Sequence, residues 1–385
     1  MSIKPLSILI PFNTVSLYGM ERGVIETFDL LRPEIDPHFV LSQTVRQKNL
    51  PVLQEIKRRD LSHSFFSDEA GWPRIGKPSS LRDAFRMSVA MVNGNLDILK
   101  AARGKQAVYF PSLNYFYFGI LTALVFRLQR RRLIFHFHDL VHEYSYRLRA
   151  AAAVITDFVH NTHLGFEVVL KGNKYLQKRN NVVIPFAITL SGPRNGNGKD
   201  RNGSLKILFV GQIAKHKGAD LLIEAFARVR ENHKETVLQM VGDCSDPEIA
   251  ELIEQARQRS STLEYLGYRE DVRSFLRGAD IYVHPSPPSR MAESFGRGVV
   301  EAMAAGLPVV CFKSGALIEI VSDESTGLIC QEETASALAL TLERLINDSD
   351  LRRDVAMKAI EEHRQKYTPA KVKPMWLEFL SEPIG

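Results

Sequence analysis

Cysteine is scarce in this chain. The three present among 385 residues, Cys244, Cys311 and Cys330, stand far apart and form no CxxC pair. That excludes a disulfide framework, argues against a structural zinc site and fits a reducing compartment. Long apolar runs are missing as well. The longest uncharged apolar stretch, Tyr115 to Phe126, has 12 residues, where a membrane-spanning helix needs about 20; a buried helix is expected there. The early run Leu6 to Phe12 is interrupted by Pro11 and precedes no small-residue cleavage site, so no secretory signal is read and a cytoplasmic chain is expected. Neither a G-x-G-x-x-G fingerprint nor a G-x-x-x-x-G-K-S/T loop occurs, which leaves out the usual dinucleotide and P-loop sites.

What is present describes a two-domain globular chain. Apolar residues make up 45% and charged residues 24%, enough for real cores and too apolar for disorder. The net charge of +6 is uneven. Residues 1–200 hold 27 Lys+Arg against 16 Asp+Glu, and the remainder 23 against 28. The basic excess gathers after residue 100, at Arg127, Arg130, Arg131, Arg132, Arg147 and Arg149. Such a half could face an anionic membrane surface or an acidic substrate, or be a solvated face. No nucleic-acid module accompanies it, and no nucleic-acid partner is expected.

Strand-like runs alternate with helical patterns throughout, the mark of an α/β chain with parallel sheets. In the first half the runs are 6–12, 38–45, 107–112, 132–138, 153–158 and 181–186, with helices from Met20 to Leu31 and from Ser80 to Arg103. Residues 191–204, SGPRNGNGKDRNGS, contain no apolar residue and read as a linker. The expected domains are therefore 1–190 and 205–369. The second opens on the strand 205–211, and a short helix from Gly298 to Ala305 sits between strands 281–286 and 307–312. Two such halves place the expected site in a cleft, beyond the carboxyl ends of strands.

Three constellations carry chemistry. In 287–310, PPSRMAESFGRGVVEAMAAGLPVV, Glu293 precedes a tight Ser294-Phe295-Gly296 turn and Glu301 follows eight positions later inside a helix. The N–H groups and positive dipole at that helix's start suit a diphosphate. Glu301 can accept from vicinal ribose hydroxyls, and Glu293 can reach the hydroxyls of a sugar. In 211–218, GQIAKHKG, Gly211 ends a strand and Gly218 opens a helix, so that Lys217 projects as a point charge for a diphosphate. In the first half, Gly19, Met20, Glu21 and Arg22 follow the first strand. His138 and Asp139 end another strand, where a histidine can bind a hydroxyl or carry a proton. A trio of His136, His138 and His142 has no recognised metal-ligand spacing.

At these residues the sequence resembles the retaining glycosyltransferases of family 4. ESFGRGVVEAMAAGLPVV is similar to that family's E-x7-E block, and Gly315, Glu319, Ile320 and Val321 continue it. Gly211, Lys217 and Gly218 match the family's G-R-x4-K-G loop, with Gln212 where arginine is usual. His138–Asp139 is similar to its HD pair, Met20 replaces the second N-terminal glycine, and Ala187 follows VVIPF where the family has Asn-Gly.

The resemblance implies a GT-B fold of two Rossmann-like domains, with a C-terminal helix at 370–385 crossing back onto the first. It implies transfer of a hexose-type sugar from a UDP- or GDP-linked donor to a glycan or lipid-linked acceptor, with configuration retained and no metal or other cofactor. Glu293, Lys217 and His138 would be catalytic. Gly19, Gly211, Gln212, Lys217, Glu293, Ser294, Phe295, Gly296 and Glu301 would surround the donor, with backbone groups near Gly267 and Tyr268 reading the base. Polysaccharide or glycolipid synthesis, with peripheral attachment to an anionic membrane, is the expected setting. A non-catalytic nucleotide-sugar-binding subunit, or another GT-B enzyme such as an epimerase, are the alternatives; Gln212 and Met20 favour the former.

Overall fold

The computed structural model describes residues 5–12, 14, 17–67, 80–138, 151–171, 173–189 and 205–384, less the side chains of 83, 84, 87, 114, 117 and 118. The expected linker 191–204 lies outside the described residues, as do Asp139, His142, Arg147 and Arg149. The chain forms two α/β units, Met1–Ala187 with Val372–Gly385, and Ile188–Lys371.

The first unit's seven strands are β1 (Leu6–Pro11), β2 (Ile35–Leu41), β3 (Ser62–Phe65), β4 (Ala107–Phe110), β5 (Arg132–Phe137), β6 (Asp157–His160) and β7 (Asn180–Val183). They pair in the order β3-β2-β1-β4-β5-β6-β7, all parallel. Consecutive residues Ile8, Leu9 and Ile10 are all fully buried, which is what a parallel sheet covered on both faces demands. The second unit repeats the plan with β8 (Lys206–Val210), β9 (Val237–Val241), β10 (Leu263–Gly267), β11 (Ile281–His284), β12 (Val309–Phe312) and β13 (Gly327–Cys330). Their order is β10-β9-β8-β11-β12-β13, again all parallel. In each sheet the direction of winding reverses once, between β1 and β4 and between β8 and β11. At such a point neighbouring connections diverge and leave a crevice outside the strands' carboxyl ends.

The C-terminal helix, Pro369–Ser381, gives Val372, Trp376 and Phe379 to the first unit's core. Trp376 lies among Phe28, Tyr109 and His136. Arg132 reaches the same helix, donating to Phe379 O at 2.9 Å and Glu382 O at 2.7 Å, with Asp157 at 3.3 Å from its Nε.

Several expectations need correction. The strand expected at 38–45 is Ile35–Leu41, because the Ser42 side chain accepts from Val45 N and starts a helix, Gln43–Gln47. The strand expected at 153–158 is Asp157–His160; the alanines at 151–153 end a helix, as their propensity favours. Tyr115 to Phe126 is not one buried helix. Gly119 divides it into Leu113–Phe118 and Ile120–Leu128, and the second of these exposes Leu121 and Leu124. A Cβ at Gly119 would lie 2.6 Å from the Phe110 ring, so the break is where backbone meets aromatic. Arg132 does not belong to a solvated basic face: it is buried in the pairings just given.

Candidate active site

The site is built at the carboxyl ends of β8 and β11, where the second sheet reverses. The loop leaving β8 begins at Gly211 and runs into a 3-10 turn, Lys215–Lys217, followed by the helix Ala219–Asn232. Gly218 joins turn and helix with φ of 73°, and a Cβ there would come within 1.8 Å of Pro285 O. Only glycine lets this loop lie against the segment leaving β11. Lys217 is thereby brought to Glu293, Nζ to Oε1 at 2.6 Å.

Glu293 is buried and receives three donors on Oε1. Besides Lys217 these are Ser286 Oγ at 2.6 Å and His284 Nε2 at 3.0 Å. A carboxylate only accepts, so Nε2 of His284 carries a proton. Its Nδ1 lies 3.5 Å from Tyr282 Oη, whose own proton is directed to Val210 O at 3.3 Å. Burial opposes the charge on Glu293, but His284 and then Lys217 outweigh it and hold the carboxyl well below the usual carboxylate range. The Glu293 loop is pinned from behind by Gly315, where a Cβ would sit 2.1 Å from Glu293 O.

Beyond the turn, Gly296 caps the helix Arg297–Ala304 with φ of 75°. As at any helix start, the first-turn N–H groups have no acceptor four residues back and look outward with the positive dipole end. Glu301 stands one turn in, bonded by Arg297 Nε at 2.8 Å. Phe295 is buried edge-on to Tyr367, with ring centroids 6.1 Å apart, so its part is packing. Ser294 is half-buried. Gln212 is exposed. Gly211, Gly242 and Gly267 line up across the ends of β8, β9 and β10: Gly211 N donates to Val241 O, and Gly242 N to Gly267 O, each at 3.0 Å. Tyr268, next in the chain, is half exposed.

Lys217, Glu293, Ser294, Gly296 and Glu301 are therefore in one neighbourhood, while His138 and Gly19 belong to the other unit. There Gly19 opens the first helix and is exposed, and Glu21 bonds back to Tyr18 N at 3.2 Å and takes Thr14 Oγ1 at 3.1 Å. His138, just past β5, lies flat on Phe186. It also closes a ring of hydrogen bonds. Asn161 Nδ2 donates to His138 Nδ1 at 3.2 Å, and His136 Nε2 to Asn161 Oδ1 at 2.8 Å. Tyr109 Oη donates to His136 Nδ1 at 2.6 Å, and His138 Nε2 faces Tyr109 Oη at 3.4 Å. Consistency around the ring places the His138 proton on Nε2. Burial pushes the His138 pKa down to about 3, so it is a neutral hydrogen-bonding group rather than an acid. Among the described residues no group of three His, Cys, Asp or Glu side chains is placed to hold a metal.

The sequence reading missed His284 and Ser286, which look like ordinary end-of-strand residues, and Tyr109, His136 and Asn161, whose pairing spans separate strands. The His-Pro-Ser at 284–286, nine and seven residues before Glu293, was the available signal for the first two.

Comparison with known proteins gives the chain its fold and a partial family match. Residues 196–362 match the family model Glycosyl transferases group 1. An uncharacterized glycosyltransferase of Methanocaldococcus jannaschii is 31% identical over 165 residues, 42% of this chain and 41% of that protein. The D-inositol 3-phosphate glycosyltransferase of Corynebacterium aurimucosum is 32% identical over 170 residues, 42% of this chain and 39% of that one. The chain thus aligns with well under half the length of these curated relatives. Solved structures resemble it throughout. Anabaena HepE in complex with UDP and glucose superposes with a TM-score of 0.76 at 18% identity, covering 98% of this chain and 99% of its own. A glycosyltransferase from Rickettsia africae gives 0.78 at 18%, covering 98% of both. The fold is GT-B, and its second unit bears the group 1 match.

Proposed function

We propose that the chain is a retaining glycosyltransferase that moves a hexose-type sugar from a UDP- or GDP-linked donor to the hydroxyl of a glycan or lipid-linked acceptor. The observation that carries this is the Lys217–Glu293 pair at the point where the second sheet reverses, beside the glycine-capped helix Arg297–Ala304. A diphosphate set against that helix start would draw Lys217 from Glu293, and both would stabilise the charge that grows on the leaving group. Glu301 would take the ribose hydroxyls. Oε1 of Glu293 is already committed to three donors, so its second oxygen is the one to hold sugar hydroxyls. Lys217 and the helix start would supply the positive charge, and the reading needs no metal.

Glu293 is too heavily hydrogen-bonded to be a ready nucleophile. A front-face route follows, in which the departing phosphate takes the acceptor proton and the new bond forms on the face the leaving group vacates. His138 would bind a donor-sugar hydroxyl through Nε2. The acceptor would belong to the first unit, and polysaccharide or glycolipid synthesis at an anionic membrane surface, from the cytoplasmic side, is the setting that unit's charge suits. The test is turnover by Glu293→Gln combined with intact-mass spectrometry: weakened donor binding with residual turnover and no adduct is expected. A trapped glycosyl-enzyme on residue 293 of the native protein would overturn the holding role.

A further inference from the structure

Of the aromatics and arginines that sequence alone associates with a membrane, Tyr115, Phe116 and Arg132 are buried inside the first unit. A different face is apolar and exposed. On the helix Leu81–Ala101, Leu81 is 92% exposed, Phe85 70% and Val92 55%, with Val89 and Leu96 also exposed. At 100° per residue these five fall within an arc of about 80°. The neighbouring helix Ile120–Leu128 buries Thr122, Ala123 and Phe126 and turns Leu121, Leu124 and Leu128 outward, the last 85% exposed. Asn95 Oδ1 accepts from Leu121 N at 2.9 Å, which joins the second stripe to the first.

Stripes of this size on two adjoining helices are more than scattered surface hydrophobics. Their edges are basic. Arg82, Arg86 and Lys100 are exposed along one flank of the longer helix, and Arg130 is exposed just beyond the shorter one. Asp97 is engaged by Ser67 at 2.6 Å, with Lys100 near it. An apolar stripe edged by arginine and lysine matches the boundary layer of an anionic bilayer, where acyl chains take the stripe and lipid phosphates the cations. A second copy fits less well, because a two-fold contact would bring the same basic flank, Arg82, Arg86 and Lys100, from both copies into one interface.

We infer that the Leu81–Ala101 and Ile120–Leu128 helices form the face by which this protein docks on anionic membranes. This deepens the membrane element of the function proposed above, and docking itself requires no sugar transfer.

The experiment is co-sedimentation of the full chain with phosphatidylcholine vesicles, with and without phosphatidylglycerol, for the native protein, for Leu81→Asp/Phe85→Asp and for Arg82→Glu/Arg86→Glu. Stabilisation by UDP is measured on each as the check on the donor site. All the altered side chains are exposed, so melting temperature and UDP response should hold. Salt-sensitive binding to the anionic vesicles is expected, reduced about tenfold or more in both variants. Native protein that ignores anionic vesicles, or variants that bind like it, would overturn the inference. So would a dimer abolished by Leu81→Asp/Phe85→Asp without vesicle binding, which would assign the face to a second copy. Absence of a UDP response in the native protein with vesicle binding intact would count against a UDP-linked donor and leave the docking face standing.

Discussion

Glu293 is the residue on which the second unit's chemistry turns, and its neighbours explain why it stays ionised while buried. An unpaired buried carboxylate would take up a proton instead. Here Lys217 approaches from the β8 loop, His284 from the end of β11 and Ser286 from the loop after it. Were a ligand's diphosphate to take Lys217, His284 and Ser286 would be the donors left on Glu293 Oε1. His284→Ala removes the Nε2–H donor to this carboxylate. A charge-assisted hydrogen bond is worth about 1.5–3 kcal/mol, so this change should weaken donor binding by roughly tenfold or more. Calorimetric titration with the preferred nucleotide sugar measures it, and unchanged affinity would show that His284 plays no part in holding Glu293.

At the scale of elements, the C-terminal helix Pro369–Ser381 is a structural part of the unit that begins the chain. Trp376 is 1% exposed and packs on Phe28, Tyr109 and His136. Truncating it leaves a large cavity beneath β4 and β5, and Trp376→Ala should cost about 3–5 kcal/mol. Chemical denaturation should show the loss in the transition of the first unit, with the second little changed. The sequence reading located this helix and most strands because their apolar runs are local signals. It misplaced the start of β6 and the end of β2 because an alanine run and a Ser42 cap decide those boundaries, and both are weak against a hydrophobic pattern. The Glu293–Glu301 block was legible since turn glycines and helix share one short segment. The Tyr109–His136–Asn161–His138 ring was not, because it forms only when β4, β5 and β6 are laid side by side, and nothing in any one strand announces it.

For the molecule as a whole, buried histidines set a dependence on pH. Burial lowers the His138 pKa to about 3 and that of His160 to about 4, and moves His136 in the same direction. Between pH 6.5 and 4 the unfolded chain therefore binds protons that the folded one refuses. Stability is full above the unfolded value and is lost as pH falls. At pH 5 the cost is about 2 kcal/mol each for His138 and His160, so unfolding midpoints in urea should drop markedly between pH 7.5 and 5. A midpoint that stays flat over that range would mean these imidazoles are not held neutral. Among the described residues no helix is long and apolar enough to cross a membrane.

The central claim is that Lys217, Glu293, Glu301 and the helix they surround bind a nucleoside diphosphate sugar. Thermal denaturation of the purified protein with UDP-, GDP- and ADP-sugars, alongside Glu301→Ala, tests it most directly. A ligand at one hundred times its dissociation constant adds about 2.7 kcal/mol of stability. The account predicts a rise in melting temperature with one nucleotide class that disappears in Glu301→Ala. A native protein that responds to none of the three, or a Glu301→Ala protein that responds as fully as the native one, would contradict it.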